Sequence, residues 1–136
     1  MVGALGAMPV VTAFAEIMPA LKRGAVDCAI TGTLSGNEIG LSEVTSHMHA
    51  MSLGWGLSIF GANEAAWKAV PADIRDVLQE GIGRLEARIW EGADRDTQAG
   101  FDCNMGLPSC NRGKRGRMSL VRPSAADEAI LRKVLE

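Results

Sequence analysis

The sequence predicts a mixed α/β fold, and three observations carry that expectation. Short β-branched apolar runs occur at residues 8–11, 25–31 and 118–121. Around them, apolar residues recur at helical spacing, most extensively as Ile74, Val77, Leu78, Ile82, Leu85, Ile89 and Trp90. The first two runs are joined by about a dozen residues, the length of connection that a parallel strand–helix–strand unit needs.

Taken in order, residues 8–11 read as a short buried strand around Pro9. Thr12 can cap the next helix, which places Phe14, Ile17, Met18 and Leu21 at helical spacing and closes at Gly24 after Lys22-Arg23. Pro19 inside it either begins the helix or kinks it. Residues 25–31 read as a second buried strand ending at Gly32, with Cys28 as a buried, inert thiol. Residues 33–43 look like a loop with a short helical turn, and residues 44–51 and 55–60 like two further strands. Asn63 is a good N-cap for a short helix carrying Ala65, Ala66 and Trp67. Pro71 then sits where a first helical turn tolerates proline, and a long amphipathic helix continues to about Ala99. Gly81 and Gly83 weaken that helix, so it depends on packing. A cysteine loop, a strand at 118–121 and a helix capped by Ser124 complete the chain.

A chain of 136 residues is one domain, or part of a larger one, and a hydrophobic share of 47% suffices for a core. Fourteen Lys and Arg against 16 Asp and Glu leave a net charge of −2, which argues against a nucleic-acid binder. No apolar run is long enough to span a membrane. The N-terminus is apolar but has no basic leader region, and Pro9, Glu16 and Pro19 interrupt its apolar stretch, so it does not read as a signal peptide. The chain begins in hydrophobic sequence, and Leu135-Glu136 gives no stop signal. Residues 1–136 therefore read as a partial domain.

Few residues promise chemistry. No phosphate-binding loop and no nucleophile elbow occur. His47 and His49 alternate on an expected strand and so share a face, but no third ligand accompanies them; neither a metal nor a cofactor is expected. Residues 111–117 carry Arg112, Lys114, Arg115 and Arg117 without an aromatic, a pattern of a solvated loop or of a docking surface for an acidic partner. Cys103 and Cys110 are seven apart with turn residues between, so a disulfide is feasible. A zinc half-site is the competing reading, disfavoured because the two histidines are not placed to complete it. Thr31, at the end of the second expected strand, lies where open α/β sheets place ligands, and Phe14 enters the helix after the first strand near the same edge. A small polar group beside an aromatic wall suits a small-molecule cleft.

Several of these residues form a familiar series. Leu5-Gly6-Ala7-x-Pro9, Phe14-x-Glu16, Ala20-Leu21-x-x-Gly24 and Val26-Asp27 resemble the solute-binding receptors of TRAP transporters, the DctP-like family. Ser42-Glu43-Val44, His47 to His49, Asn63, Trp67 and Pro71 look like further landmarks of that family, and the long helix after Pro71 is similar to the one that braces its two lobes. The resemblance covers about residues 5 to 122. It implies a fold of the periplasmic binding protein type II kind, present here in part as one lobe with its bracing helix. It also implies a periplasmic, non-enzymatic receptor that captures a small organic acid and delivers it to TRAP membrane permease subunits. Phe14 would line the pocket and Thr31 would contact the ligand, with Trp55 a weaker pocket candidate; Asp27 would be structural. The family's carboxylate-clamping arginine would lie upstream of Leu5, so the chain reads as a fragment. The competing reading is a small stand-alone thiol–disulfide or interaction protein that uses Cys103/Cys110 or the basic loop 112–117. Against it, there is no Cys-x-x-Cys motif and no nucleophile–base pair.

Overall fold

The computed structural model describes residues 2–54, 56, 57 and 59–135, with Ala4 described by its backbone alone. Its regular elements are α1 (Ile17–Lys22), α2 (Thr33–Glu38), β1 (His47–His49), α3 (Glu64–Ala69), α4 (Ala72–Met105), β2 (Ser119–Val121) and α5 (Ala125–Leu135). Short 3-10 turns occupy Val2–Leu5, Phe14–Glu16 and Leu41–Glu43. The chain divides into two compact units, one formed by Met1–Trp55 with Asp96–Glu136 and the other by Gly56–Arg95.

The smaller unit is helical for local reasons. Asn63 Oδ1 accepts the Ala66 amide at 3.1 Å and so caps α3. The Pro71 carbonyl accepts the Arg75 amide at 3.0 Å, which places the proline just ahead of α4, where its missing N–H costs nothing. Glu80 and Arg84 pair across one turn of α4. The apolar stripe of α4 is present as expected, but within this unit its side chains, Ile74 and Val77 through Trp90, remain largely exposed.

In the larger unit α1 does not begin at the expected Thr12 cap. A 3-10 turn intervenes, and the helix starts at Ile17 with no side-chain cap, whereas its other end follows the sequence signal. Gly24 N–H bonds to Leu21 O and Ala25 N–H to Ala20 O, the paired bonds that terminate a helix after Lys22-Arg23. Pro19 lies within the first turn of α1, so the helix starts around it and is not broken by it. α4 continues past Ala99 to Met105 and stops at Gly106, whose φ of +73° is the left-handed conformation that favours glycine. Cys103 consequently belongs to the last turn of α4, while Cys110 alone lies in the loop after it.

The strands differ from expectation. Residues 8–11 and 25–31 form no strand, and the parallel pair is instead β1 with β2, in the register His47↔Ser119, Met48↔Leu120 and His49↔Val121. A strand needs a neighbour to take up its backbone N–H and C=O groups. β2 supplies that neighbour over three residues only, so the run expected at 44–51 contracts to His47–His49. The described residues of the run expected at 55–60 form no strand either. Unpaired, Val11 and Ile30 are exposed, and Cys28 is an exposed free cysteine, not a buried one.

The core of the larger unit is small and partly polar. Ala20, Leu41, Ala99 and Cys103 are its buried apolar members, and Asn37 and Asn104 are buried with them. Residues 33–43, expected as a loop with a short helical turn, hold the short helix α2 and a 3-10 turn, and Gly36, Asn37 and Leu41 are buried there. The approach of this segment to α4 requires Gly100, because a Cβ there would collide with the Leu34 amide nitrogen and the Thr33 hydroxyl.

Candidate functional site

Three polar clusters were candidates for function, and the first resolves into architecture. Asn37 is fully buried, and its amide makes three hydrogen bonds. It donates to Asn104 Oδ1 at 3.0 Å and to the Lys114 carbonyl at 2.8 Å, and it accepts the Lys114 amide at 2.8 Å. Asn104 in turn donates to the Thr33 carbonyl at 2.9 Å, and the Thr33 hydroxyl donates to the Thr97 carbonyl at 2.8 Å. Every bonding group in this series has its partner, so the network rigidifies the unit and leaves no side chain aimed at a ligand. A disulfide joins Cys103 to Cys110, with the Cα atoms 4.5 Å apart, and ties the loop carrying Lys114 to the end of α4. Cys103 is wholly buried, which keeps one half of the bond away from exchange partners. Sequence reasoning found the disulfide but not the asparagine network. Its available signals were the small residues that let chains approach, Gly100 inside a helix and Gly113 and Gly116 in the basic loop.

The basic loop is engaged with its own chain. Arg112 pairs with Asp96, Lys114 lies 3.4 Å from Glu43, and Arg115 donates to the Pro108 carbonyl at 3.3 Å. Arg112, Lys114 and Arg115 thus each have a partner in the chain, although the Arg112 and Lys114 pairs remain exposed to solvent.

The second cluster surrounds β1. Ser124 and Asp127 form a reciprocal cap on α5: the carboxylate accepts the Ser124 amide at 2.7 Å and its hydroxyl at 2.8 Å, and Ser124 Oγ accepts the Asp127 amide at 3.2 Å. His49 Nε2 lies 3.9 Å from the same carboxylate, and its Nδ1 accepts the Met51 amide at 3.2 Å. These donors, the Ser124 amide first, hold Asp127 below the usual carboxylate range, with His49 a smaller contributor. A depressed native pKa contributes stability that is complete above the unfolded value of about 4 and is lost as pH falls through the native value. Carbon-13 titration of Asp127 is expected to show a midpoint below that of an unstructured aspartate, and Ser124→Ala should move it back up. An unchanged midpoint in Ser124→Ala would show that the cap does not set it. Among the described residues no group of three or more His, Cys, Asp or Glu side chains is placed to hold a metal, His47 and His49 included.

The third set comprises the expected ligand residues. Phe14 opens the 3-10 turn that leads into α1 and is 50% exposed. Thr31 is half-buried just before α2, its methyl turned toward Gly36, and its hydroxyl has no hydrogen-bond partner within the described residues. Trp55 lies outside the described residues. Beside α1 runs an open groove of about 560 Å³. Met18, Pro19 and Ile39 line its apolar side, and Lys22, Arg23, Glu43 and Lys114 its charged side. Neither Phe14 nor Thr31 lines it.

The family model for bacterial extracellular solute-binding proteins of family 7, DctP, matches residues 1–99 of the chain. No curated protein and no solved structure matches it. Among the described residues no helix is long and apolar enough to cross a membrane.

Proposed function

We propose that this chain, which belongs to the DctP family of extracellular solute-binding proteins, captures a small organic acid in the periplasm and presents it to TRAP permease subunits. Proteins of this family are the non-enzymatic, extracytoplasmic solute-binding components of TRAP transporters. The observation that carries the reading is the family match, which spans residues 1–99 and so includes Phe14, Thr31 and much of α4.

Phe14 and Thr31 are the residues we assign to the ligand, with Trp55 as a weaker candidate. An exposed aromatic ring offers an apolar wall, and a threonine hydroxyl without a partner among the described residues can donate to a carboxylate.

Titration calorimetry with a panel of mono- and dicarboxylates tests the assignment. At least one acid is expected to give saturable heats, and Thr31→Val should weaken it by about tenfold, the effect of one charge-assisted hydrogen bond. Phe14→Ala should weaken it similarly. Binding that is indifferent to both substitutions would refute these residues as ligand contacts.

A further inference from the structure

The groove beside α1 has a composition that the solute-binding reading does not use. We infer that it is a separate electrostatic site that takes a small polyanion, carboxylate or phosphate, through Lys22, Arg23 and Lys114. Three cationic side chains face one carboxylate there. The side chains of Lys22 and Arg23 have no ionic or hydrogen-bonding partner within the described residues. Lys114 shares Glu43 at 3.4 Å, but both side chains are more than half exposed, so the pair neutralises little in practice.

The frames that carry these cations are built, not loose. Lys22 and Arg23 stand on the closing turn of α1, where the Gly24 and Ala25 amides bond back to Leu21 and Ala20. The Lys114 backbone is held on both its N–H and its C=O by the buried Asn37 amide. The loop bearing it is also tied to α4 through the Cys103–Cys110 bond. Fixed backbones of this kind reduce the ordering that a ligand would otherwise have to impose. Pro19 and Ile39 give the groove an apolar side, so water is partly excluded from one flank of any bound anion.

Charge number selects the ligand. A single carboxylate could engage one cation and would still meet Glu43, whereas an anion of two or more charges can satisfy Lys22 and Arg23 together. The site is therefore expected to discriminate by charge more than by shape. Its affinity should fall with salt, as interactions between exposed charges are screened. Glu43 acts against binding, so its neutralisation should tighten the site.

The test is a titration of the full chain, labelled with nitrogen-15, at low ionic strength with citrate and, separately, inorganic phosphate. Expected are saturable shifts at the Lys22, Arg23 and Lys114 amides that weaken by about tenfold or more in Lys22→Ala/Arg23→Ala. Glu43→Gln should bind severalfold more tightly. Saturation by citrate alone would support the site and assign it to polycarboxylates, and saturation by phosphate alone would support it and assign it to phosphates. The inference fails if neither probe saturates, if the shifts survive the double substitution, or if Glu43→Gln binds no more tightly. Because the substituted side chains are exposed, unchanged spectra for α5 and β2 verify that the variants remain folded. The proposed contacts of Phe14 and Thr31 play no part in any of these outcomes.

Discussion

Replacing Asn37 with alanine is expected to destabilise the larger unit by about 4 kcal/mol, from the combined loss of three buried hydrogen bonds and the groups left unpaired. The Lys114 amide, the Lys114 carbonyl and Asn104 Oδ1 would each lose a partner in an environment where water does not readily replace it. Urea unfolding followed by circular dichroism measures the change, and a loss below about 1 kcal/mol would mean that the network is not a principal support. Asn37→Asp supplies a control of different sign. Its carboxylate keeps the bond from the Lys114 amide but turns a second oxygen toward two acceptors, and burial opposes its charge. A native carboxyl with a raised pKa loses stability as pH rises above the unfolded value of about 4, so this variant should be relatively more stable in acid. Wild-type protein should show no such trend at this position, because the asparagine amide does not titrate.

Removing the disulfide is the second large perturbation. Closing the short loop between Cys103 and Cys110 restricts the unfolded chain, and the chain-entropy relation puts its contribution at about 2.5 kcal/mol. The native state has a further interest in the bond, since the loop carries the Lys114 backbone to Asn37. Reduction should therefore lower the urea midpoint and also speed hydrogen exchange at the Lys114 amide, ahead of α5. Cys103→Ala/Cys110→Ala should sit at or below the reduced wild type and should not respond to reductant. Complete reduction, verified by thiol titration, that left the midpoint unchanged would show that the bond does not stabilise the fold.

Local signals were read from the sequence with success, because the interacting groups lie within a few residues. Asn63 caps α3, Ser124 caps α5, and Gly24 closes α1, each through bonds that span one helical turn. The long helix after Pro71 was equally plain from its stripe, although its true end needed Gly106. The disulfide was legible because two cysteines seven apart can meet across a turn whatever the remainder of the chain does. The family was legible from an ordered series of short motifs, and the match over residues 1–99 bears that out.

The strands and the centre of the larger unit were not legible in this way. The β-branched content of residues 8–11 and 25–31 says that they tolerate extended backbone, not which neighbour would pair with them. Pairing went to His47–His49 and Ser119–Val121, far apart in the chain, and Cys28 remained exposed as a consequence. Asn37 and Asn104 are 67 positions apart, and nothing in either residue's surroundings announces that their amides meet. The groove is similar: Lys22-Arg23 looked like a helix ending and Lys114 like part of a solvated loop until folding placed them on one concave face.

By itself, then, the sequence determined the long helix, the caps of α3 and α5, the close of α1, the cross-link and the family, since each rests on groups close in the chain or on motif order. Only the tertiary structure decided which strand found a partner, which asparagines became the core and which cations converged. Those outcomes depend on close approaches, at Gly100 above all, that exist only once distant segments have packed.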